Sequence, residues 1–125
     1  MNQNEAKRKR ALVVEDEPLI SRVCRKTLCT EGFEVDVATN GPIAKEMVAN
    51  RVYDLFLSDI RTPQMNGIEF YRYLEEEYPA MAGKVIFTTG DVLSGNIDTF
   101  LKEVNKPFLP KPFLPDDLKQ IVRKL

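Results

Sequence analysis

The chain has 125 residues, 43% of them hydrophobic and 30% charged, the size and balance of one globular domain with a core of its own. Its 18 basic and 19 acidic residues leave a net charge of −1, which argues against a strong polyanion binder, and no run of about 18 apolar residues is available to span a bilayer. Histidine is absent, so general-base catalysis by histidine, histidine-ligated metals and a phosphohistidine are all excluded on this chain.

Residues 1–10 are polar, lack the apolar stretch of a secretory signal, and read as a leader without fixed structure ahead of one domain over residues 11–125. Residues 11–14 are a continuous apolar run too short for a helix, the pattern of a buried parallel strand. Pro18 then suits the first position of a helix whose apolar stripe is Leu19, Ile20, Val23, Cys24, Thr27 and Leu28, and Gly32 ends it. Cys24 and Cys29 fall on different faces of that helix, so no mutual disulfide is expected, and a reducing, cytoplasmic location fits.

Residues 33–38 alternate apolar and acidic side chains, as a strand with one wet face near a sheet edge does. Asn40, Gly41 and Pro42 start a second helix; residues 53–58 form a third apolar strand that ends at Asp59. After a loop containing Pro63 and Asn66-Gly67, Ile68, Tyr71 and Leu74 mark a helix running to about Tyr78-Pro79. Residues 84–89 are a fourth strand, stopped by Gly90. The segment 91–104 is weakly helical, interrupted by Gly95 and Asn96. Phe108-Leu109 is a short fifth strand, placed at an edge by the prolines around it. Pro115 opens a last helix with Asp116 and Asp117 in its first turn, Arg123 and Lys124 in its last, and Leu118, Ile121, Val122 and Leu125 on its apolar face.

Strand and helix alternate five times, which predicts an α/β fold, a five-stranded parallel sheet with five helices on its two faces. Ligands of such sheets sit at the carboxyl ends of the strands. Here those ends carry Glu15-Asp16, Asp59, Thr89-Gly90 and, after the fifth strand, Lys111-Pro112. Three carboxylates on one rim raise one another's pKa unless a cation neutralises them, and a hard divalent ion such as Mg²⁺ suits an all-oxygen ligand set. A lysine and a threonine hydroxyl opposite complete a site suited to a phosphoryl group.

The motifs Leu12-Val-Val-Glu-Asp16 with Glu17-Pro18, Asp59 followed by Pro63 and Asn66-Gly67, Thr89-Gly90, and Lys111-Pro112-Phe113 occur in order at the strand ends. Together they resemble the receiver domain of two-component response regulators, with Thr89-Gly90-Asp91 and residues 108–113 most similar to receivers of hybrid sensor kinases. The resemblance implies a flavodoxin-like, doubly wound sheet in the order 2-1-3-4-5. It implies Asp59 as phosphoacceptor, and Mg²⁺ (or Mn²⁺) held by Asp16 directly, Glu15 through water, Asp59 and the Arg61 backbone carbonyl. Thr89 and Lys111 would contact the phosphoryl oxygens, the Lys111-Pro112 bond would be cis, and Thr89 with Phe108 would form the switch. Arg61 and Asp91, two past the key residues, would set the lifetime of the phosphate. The departures are Glu15 in place of the commoner Asp, Thr62 in place of a hydrophobic residue, and Phe108 in place of Tyr.

The implied role is a signalling domain, not an enzyme acting on other molecules, that catalyses its own aspartyl phosphorylation and dephosphorylation. Its donor would be a histidine kinase or phosphotransfer protein carrying phosphohistidine; no direct binding to nucleic acid or membrane is expected, and the oligomeric state would be monomer or weak dimer. The output would be a changed surface on the fourth helix, fifth strand and last helix. The main alternative is a receiver-like interaction module independent of phosphorylation. An aspartyl phosphohydrolase would want an acid where Arg61 stands, and a flavin-binding protein would not place Glu15, Asp16 and Glu17 where phosphate sits.

Overall fold

The computed structural model describes residues 8–61, 65–90 and 95–125. Strands β1 (Arg10–Val14), β2 (Glu34–Ala38), β3 (Leu55–Asp59), β4 (Val85–Thr89) and β5 (Phe108–Pro110) form a parallel sheet in the order β2-β1-β3-β4-β5. This is the expected flavodoxin-like order, with β2 and β5 at the edges. The helices are α1 (Pro18–Thr30), α2 (Gly41–Asn50), α3 (Gly67–Glu77), α4 (Pro79–Ala82), α5 (Gly95–Val104) and α6 (Pro115–Arg123).

The central strands are apolar on both sides because both faces are covered. Successive side chains alternate across a strand. Leu12 and Val14 accordingly join Phe56, Phe70, Leu74 and Phe87 in a core beneath α2 to α5. Ala11 and Val13 join Leu28, Leu57, Ile86 and Leu118 beneath α1 and α6. Sterically locked aromatic contacts knit the larger core: Phe87 meets Phe100 edge-on at 5.1 Å and Tyr71 at 5.4 Å between ring centroids.

Four details depart from the sequence reading. Lys9 and Arg10, expected in the leader, already pair with the sheet: Glu34 N–H donates to the Lys9 carbonyl at 2.8 Å and Arg10 N–H to Asp54 Oδ2 at 2.9 Å. A sixth helix, the short α4, appears because Tyr78, the residue before Pro79, is driven out of helical geometry (φ −141°, ψ 63°), and Pro79 then opens a new turn. Gly95 and Asn96, expected to interrupt a helix, are themselves helical residues of α5. The stripe of α1 is only partly buried: Cys24, Thr27 and Leu28 face the core, whereas Leu19 is 73% exposed and Val23 41%.

Local chemistry sets the helix starts near the site. Asn40 Oδ1 accepts from Ile43 N–H at 2.9 Å. Asn66 and Glu69 form a reciprocal capping box, Asn66 Oδ1 accepting from Glu69 N–H at 2.9 Å and Glu69 Oε1 from Asn66 N–H at 3.3 Å. Gly67 is needed because α3 begins against the end of β3: a Cβ there would lie 2.7 Å from Ile60 Cα and 2.8 Å from the Asp59 carbonyl oxygen. Both neighbours are backbone, so Gly67→Ala is expected to destabilise the protein by about 1–3 kcal/mol, the range for overpacking, read as a lowered urea midpoint with an unchanged m-value.

Candidate functional site: an acidic rim closed by one lysine

The carboxyl ends of β1, β3 and β4 and the turn after β5 meet on one rim, where the strand order reverses between β1 and β3. Glu15, just past β1, is tied by its N–H to the Ala38 carbonyl at 3.0 Å. Asp59 is the last residue of β3 and Thr89 the last of β4. Lys111 is held from both sides: its N–H donates to the Thr89 carbonyl at 3.0 Å, and its bond to Pro112 is cis, as the resemblance implies.

The Lys111 ammonium lies 2.8 Å from Glu15 Oε1, 2.9 Å from Asp59 Oδ2 and 3.1 Å from Glu17 Oε1. The other oxygen of Asp59 accepts from Arg61 N–H at 3.1 Å, and Glu15 Oε2 accepts from Glu17 N–H at 3.2 Å. Glu15 and Asp59 are buried, the Lys111 side chain is 13% exposed and that of Glu17 is 58% exposed. The site is thus a pair of buried carboxylates and a partly wet third, sharing one positive charge.

The electrostatics follow from that count. Burial, opposed by the hydrogen bond from Lys111 and reinforced by the charge on Asp59, pushes the Glu15 carboxyl up to about 7. Burial by itself would lower Lys111, but its bonds to Glu15 and Asp59 outweigh that and hold the ammonium well above its ordinary range. The Cys24 thiol is pushed up to about 12 by burial and by the nearby Glu15.

A stability prediction arises here. In the folded protein Glu15 keeps its proton to about pH 7, whereas the unfolded chain releases it near the ordinary 4.5. Between those values the folded state binds more protons, so in metal-free buffer this group makes stability fall as pH rises. Glu15→Gln is expected to flatten that slope, measured as urea midpoints across the same window. An unchanged slope would place the proton elsewhere.

The structure brings together Glu15, Asp59 and Lys111 as the sequence predicts, with Thr89 wholly buried at the rim and Phe108 half-buried against the larger core. Among the described residues the carboxylates whose oxygens lie within 4.8 Å of one another are Glu15, Glu17 and Asp59; Asp16 is exposed and outside that group. Glu17 is the residue that sequence reasoning left without a role. Its signal was its place two residues after Glu15, which lets its N–H bond to the Glu15 carboxylate and turns both acids over one rim. Arg61 is exposed and reaches Asp59 through its backbone N–H. Asp91, Thr62 and Pro63 lie outside the described residues.

Beside the rim, a cleft of about 500 Å³ is walled by Leu19, Ile20, Val23, Pro112 and Phe113 and opens onto Glu17 and Lys111. The half-exposed stripe of α1 therefore borders the acidic rim.

The donor set fits a hard divalent cation: carboxylate oxygens only, two of the acids buried, and more negative charge than Lys111 alone offsets. No helix among the described residues is long and apolar enough to cross a membrane.

Comparison with known proteins agrees with this geometry. The family model for the response regulator receiver domain matches residues 11–123. The response regulator Rre1 of Synechocystis is 34% identical over 115 residues, covering 91% of this chain and 50% of that protein, so the chain spans about half its relative's length. A CheY-like receiver domain from Methanospirillum hungatei superposes with a TM-score of 0.84 at 28% identity, over 94% of this chain and 93% of that one. The receiver domain of a sensor histidine kinase from Pseudomonas aeruginosa, solved with a magnesium ion coordinated in its active-site cleft, gives 0.81 at 26% identity, over 93% and 95%. With the family model matching nearly the whole chain and the fold shared with solved receiver domains, the chain belongs to the response regulator receiver domains of two-component systems.

Proposed function

We propose that Asp59 accepts a phosphoryl group from a phosphohistidine on a partner protein and that this reshapes the surface of α5, β5 and α6. The observation that carries the reading is the single ammonium of Lys111 within 3.1 Å of Glu15, Glu17 and Asp59 at the switch point of the sheet. Phosphoryl transfer needs positioning and charge neutralisation, and this rim supplies both.

Asp59 is the acceptor because it is buried, held by Arg61 N–H on one oxygen and by Lys111 on the other, and so presents a fixed carboxylate. An oxygen of that carboxylate forms the new O–P bond as the N–P bond of the donor breaks. Lys111, already at bonding distance, follows the charge onto the phosphoryl oxygens. Glu15, Asp59 and the Arg61 carbonyl would hold Mg²⁺, with Mn²⁺ as a substitute, and Asp16 would turn in from its exposed place beside Glu15 to join them; when bound, the ion supplies positive charge against the phosphoryl oxygens. Glu17 shares the first contact with Lys111 and would release it as the charge moves.

The Thr89 hydroxyl would donate to the phosphoryl group, and Phe108, half-buried beside the core, would take up the space this leaves. Phe108 has no hydroxyl, so packing alone drives its movement. Arg61 and Asp91 would govern access of water to the acyl phosphate and hence its lifetime. The cleft bordered by Leu19, Val23 and Phe113 adjoins Lys111 and would seat the partner that carries the phosphohistidine. In this role the protein catalyses only its own phosphorylation and dephosphorylation.

Incubation with a small acyl phosphate and Mg²⁺ tests the proposal. The expected result is one added phosphoryl group by intact mass, labile to hydroxylamine and strongly reduced by a chelator. A chain that stays unmodified with both donor and Mg²⁺ present, and also with a phosphohistidine donor, would instead be an interaction module independent of phosphorylation.

A further inference from the structure

At the amino ends of the strands, away from Asp59, a cavity of about 450 Å³ runs beside the outer edge of β2. Its wall includes residues 32–36, and Arg8, Arg10, Arg25 and Arg51 reach it from the start of β1, from α1 and from the end of α2. Arg10 pairs with Glu34 at 3.5 Å and Arg51 with Asp36 at 3.2 Å, so the acids of β2 are already neutralised. Arg8 and Arg25 form no ion pair among the described residues. The cavity therefore carries guanidinium charge in excess, in a chain whose net charge is −1.

The backbone beside that charge is also open. β2 has β1 on one side and no strand on the other among the described residues. Glu34 N–H and the Ala38 carbonyl are used on the β1 side. By the alternation of a parallel ladder, Val35 and Val37 turn their N–H and C=O groups outward, a row ready to pair with another extended chain.

We propose that this edge docks an extended acidic segment of a partner protein, which adds to the sheet as a strand beside β2 and places carboxylates against Arg8 and Arg25. Main-chain bonds to an edge supply affinity and the flanking side chains supply selectivity. Guanidinium groups suit carboxylates because both are planar and bond in a bidentate way. A second copy of β2 is a poor occupant, since it would bring another Glu34 and Asp36 against the first. A nucleic acid needs more phosphate contacts than the unpaired arginines offer.

The probes are an acetylated peptide alternating Glu and Val and the same peptide with Lys for Glu. Cys29 reports occupancy: it is exposed and lines the cavity, whereas Cys24 is buried with its thiol pushed up to about 12, so iodoacetamide labels Cys29 alone. The Glu peptide is expected to slow that labelling and to protect the Val35 and Val37 amides from exchange. Arg25→Glu, and separately Arg8→Glu, are expected to weaken the peptide by about tenfold or more, as like charges across an interface do. The proposal fails if the Lys peptide protects equally, if inorganic phosphate or an oligonucleotide gives the same protection, or if the wild-type Val35 and Val37 amides are unprotected by saturating Glu peptide.

Discussion

Asp59→Asn is expected to abolish acceptance of a phosphoryl group while leaving the fold intact. The side chain is buried, and asparagine has nearly the same volume and shape, so no cavity opens and no strand is disturbed. One amide oxygen can still accept from Arg61 N–H, and Lys111 keeps its partners Glu15 and Glu17. What is lost is the anionic oxygen that would form the new bond in the proposed transfer. The charge count also changes: the negative neighbour that helps to raise Glu15 disappears, so the Glu15 carboxyl should titrate lower than about 7. Intact mass after incubation with the phosphodonor should therefore show no adduct, and the urea midpoint near neutral pH should stay level or rise. Wild-type labelling of the variant would move the acceptor to another residue and dismantle the proposed chemistry.

Lys111→Ala should have the largest effect on stability. Its ammonium is the cation that the structure places between two buried carboxylates, and truncation leaves both without a counter-charge. Removing one partner of a buried pair leaves an uncompensated charge, and a cost of about 3 kcal/mol is expected in metal-free buffer at neutral pH. The cost should shrink as pH falls, because Glu15 is already inclined to hold a proton and loses, with Lys111, the bond that favoured its charged form. Millimolar Mg²⁺ should restore part of the lost stability, since a ligand that binds only the folded acids stabilises by mass action. A variant as stable as wild type in chelator would mean that the acids are solvated separately, contrary to the 2.8 and 2.9 Å contacts.

The two results read different properties of one arrangement. Asp59 would supply the reacting oxygen of the proposed transfer, and Lys111 makes it tolerable to hold that oxygen as a buried anion next to Glu15. Packing constrains the same place: Gly67 sits directly against the Asp59 carbonyl, where the end of β3 leaves no room for even a methyl group.

Much of this was legible in the chain. Residues 11–14 and 85–87 announced buried strands because a strand covered on both faces has few polar positions to alternate with. Asp59, Thr89 and Lys111 were found because strand ends in a parallel sheet converge, and only a few residues of the right chemistry stand at those ends. Glu17 was not found, because a spacing of two from Glu15 permits the backbone bond to the Glu15 carboxylate without requiring it, and its contact with Lys111 spans most of the chain. The exposure of Leu19 and Val23 was likewise hidden: an apolar stripe on α1 does not say how much of it the sheet covers. Arg25 and Arg51 stand apart in the sequence from Arg8 and Arg10 and from each other, and only the fold brings the four to one cavity.

Periodicity and the placement of glycine and proline determined by themselves that this is a five-stranded α/β domain with Asp59 at the end of a strand, because each of those signals is local and repeats along the chain; that it is a receiver rested on the resemblance of its motifs to that family. Which acids share Lys111, which side of α1 stays bare and which edge of the sheet gathers arginines were decided only by tertiary structure, because each depends on the distance between side chains that the sequence keeps tens of residues apart.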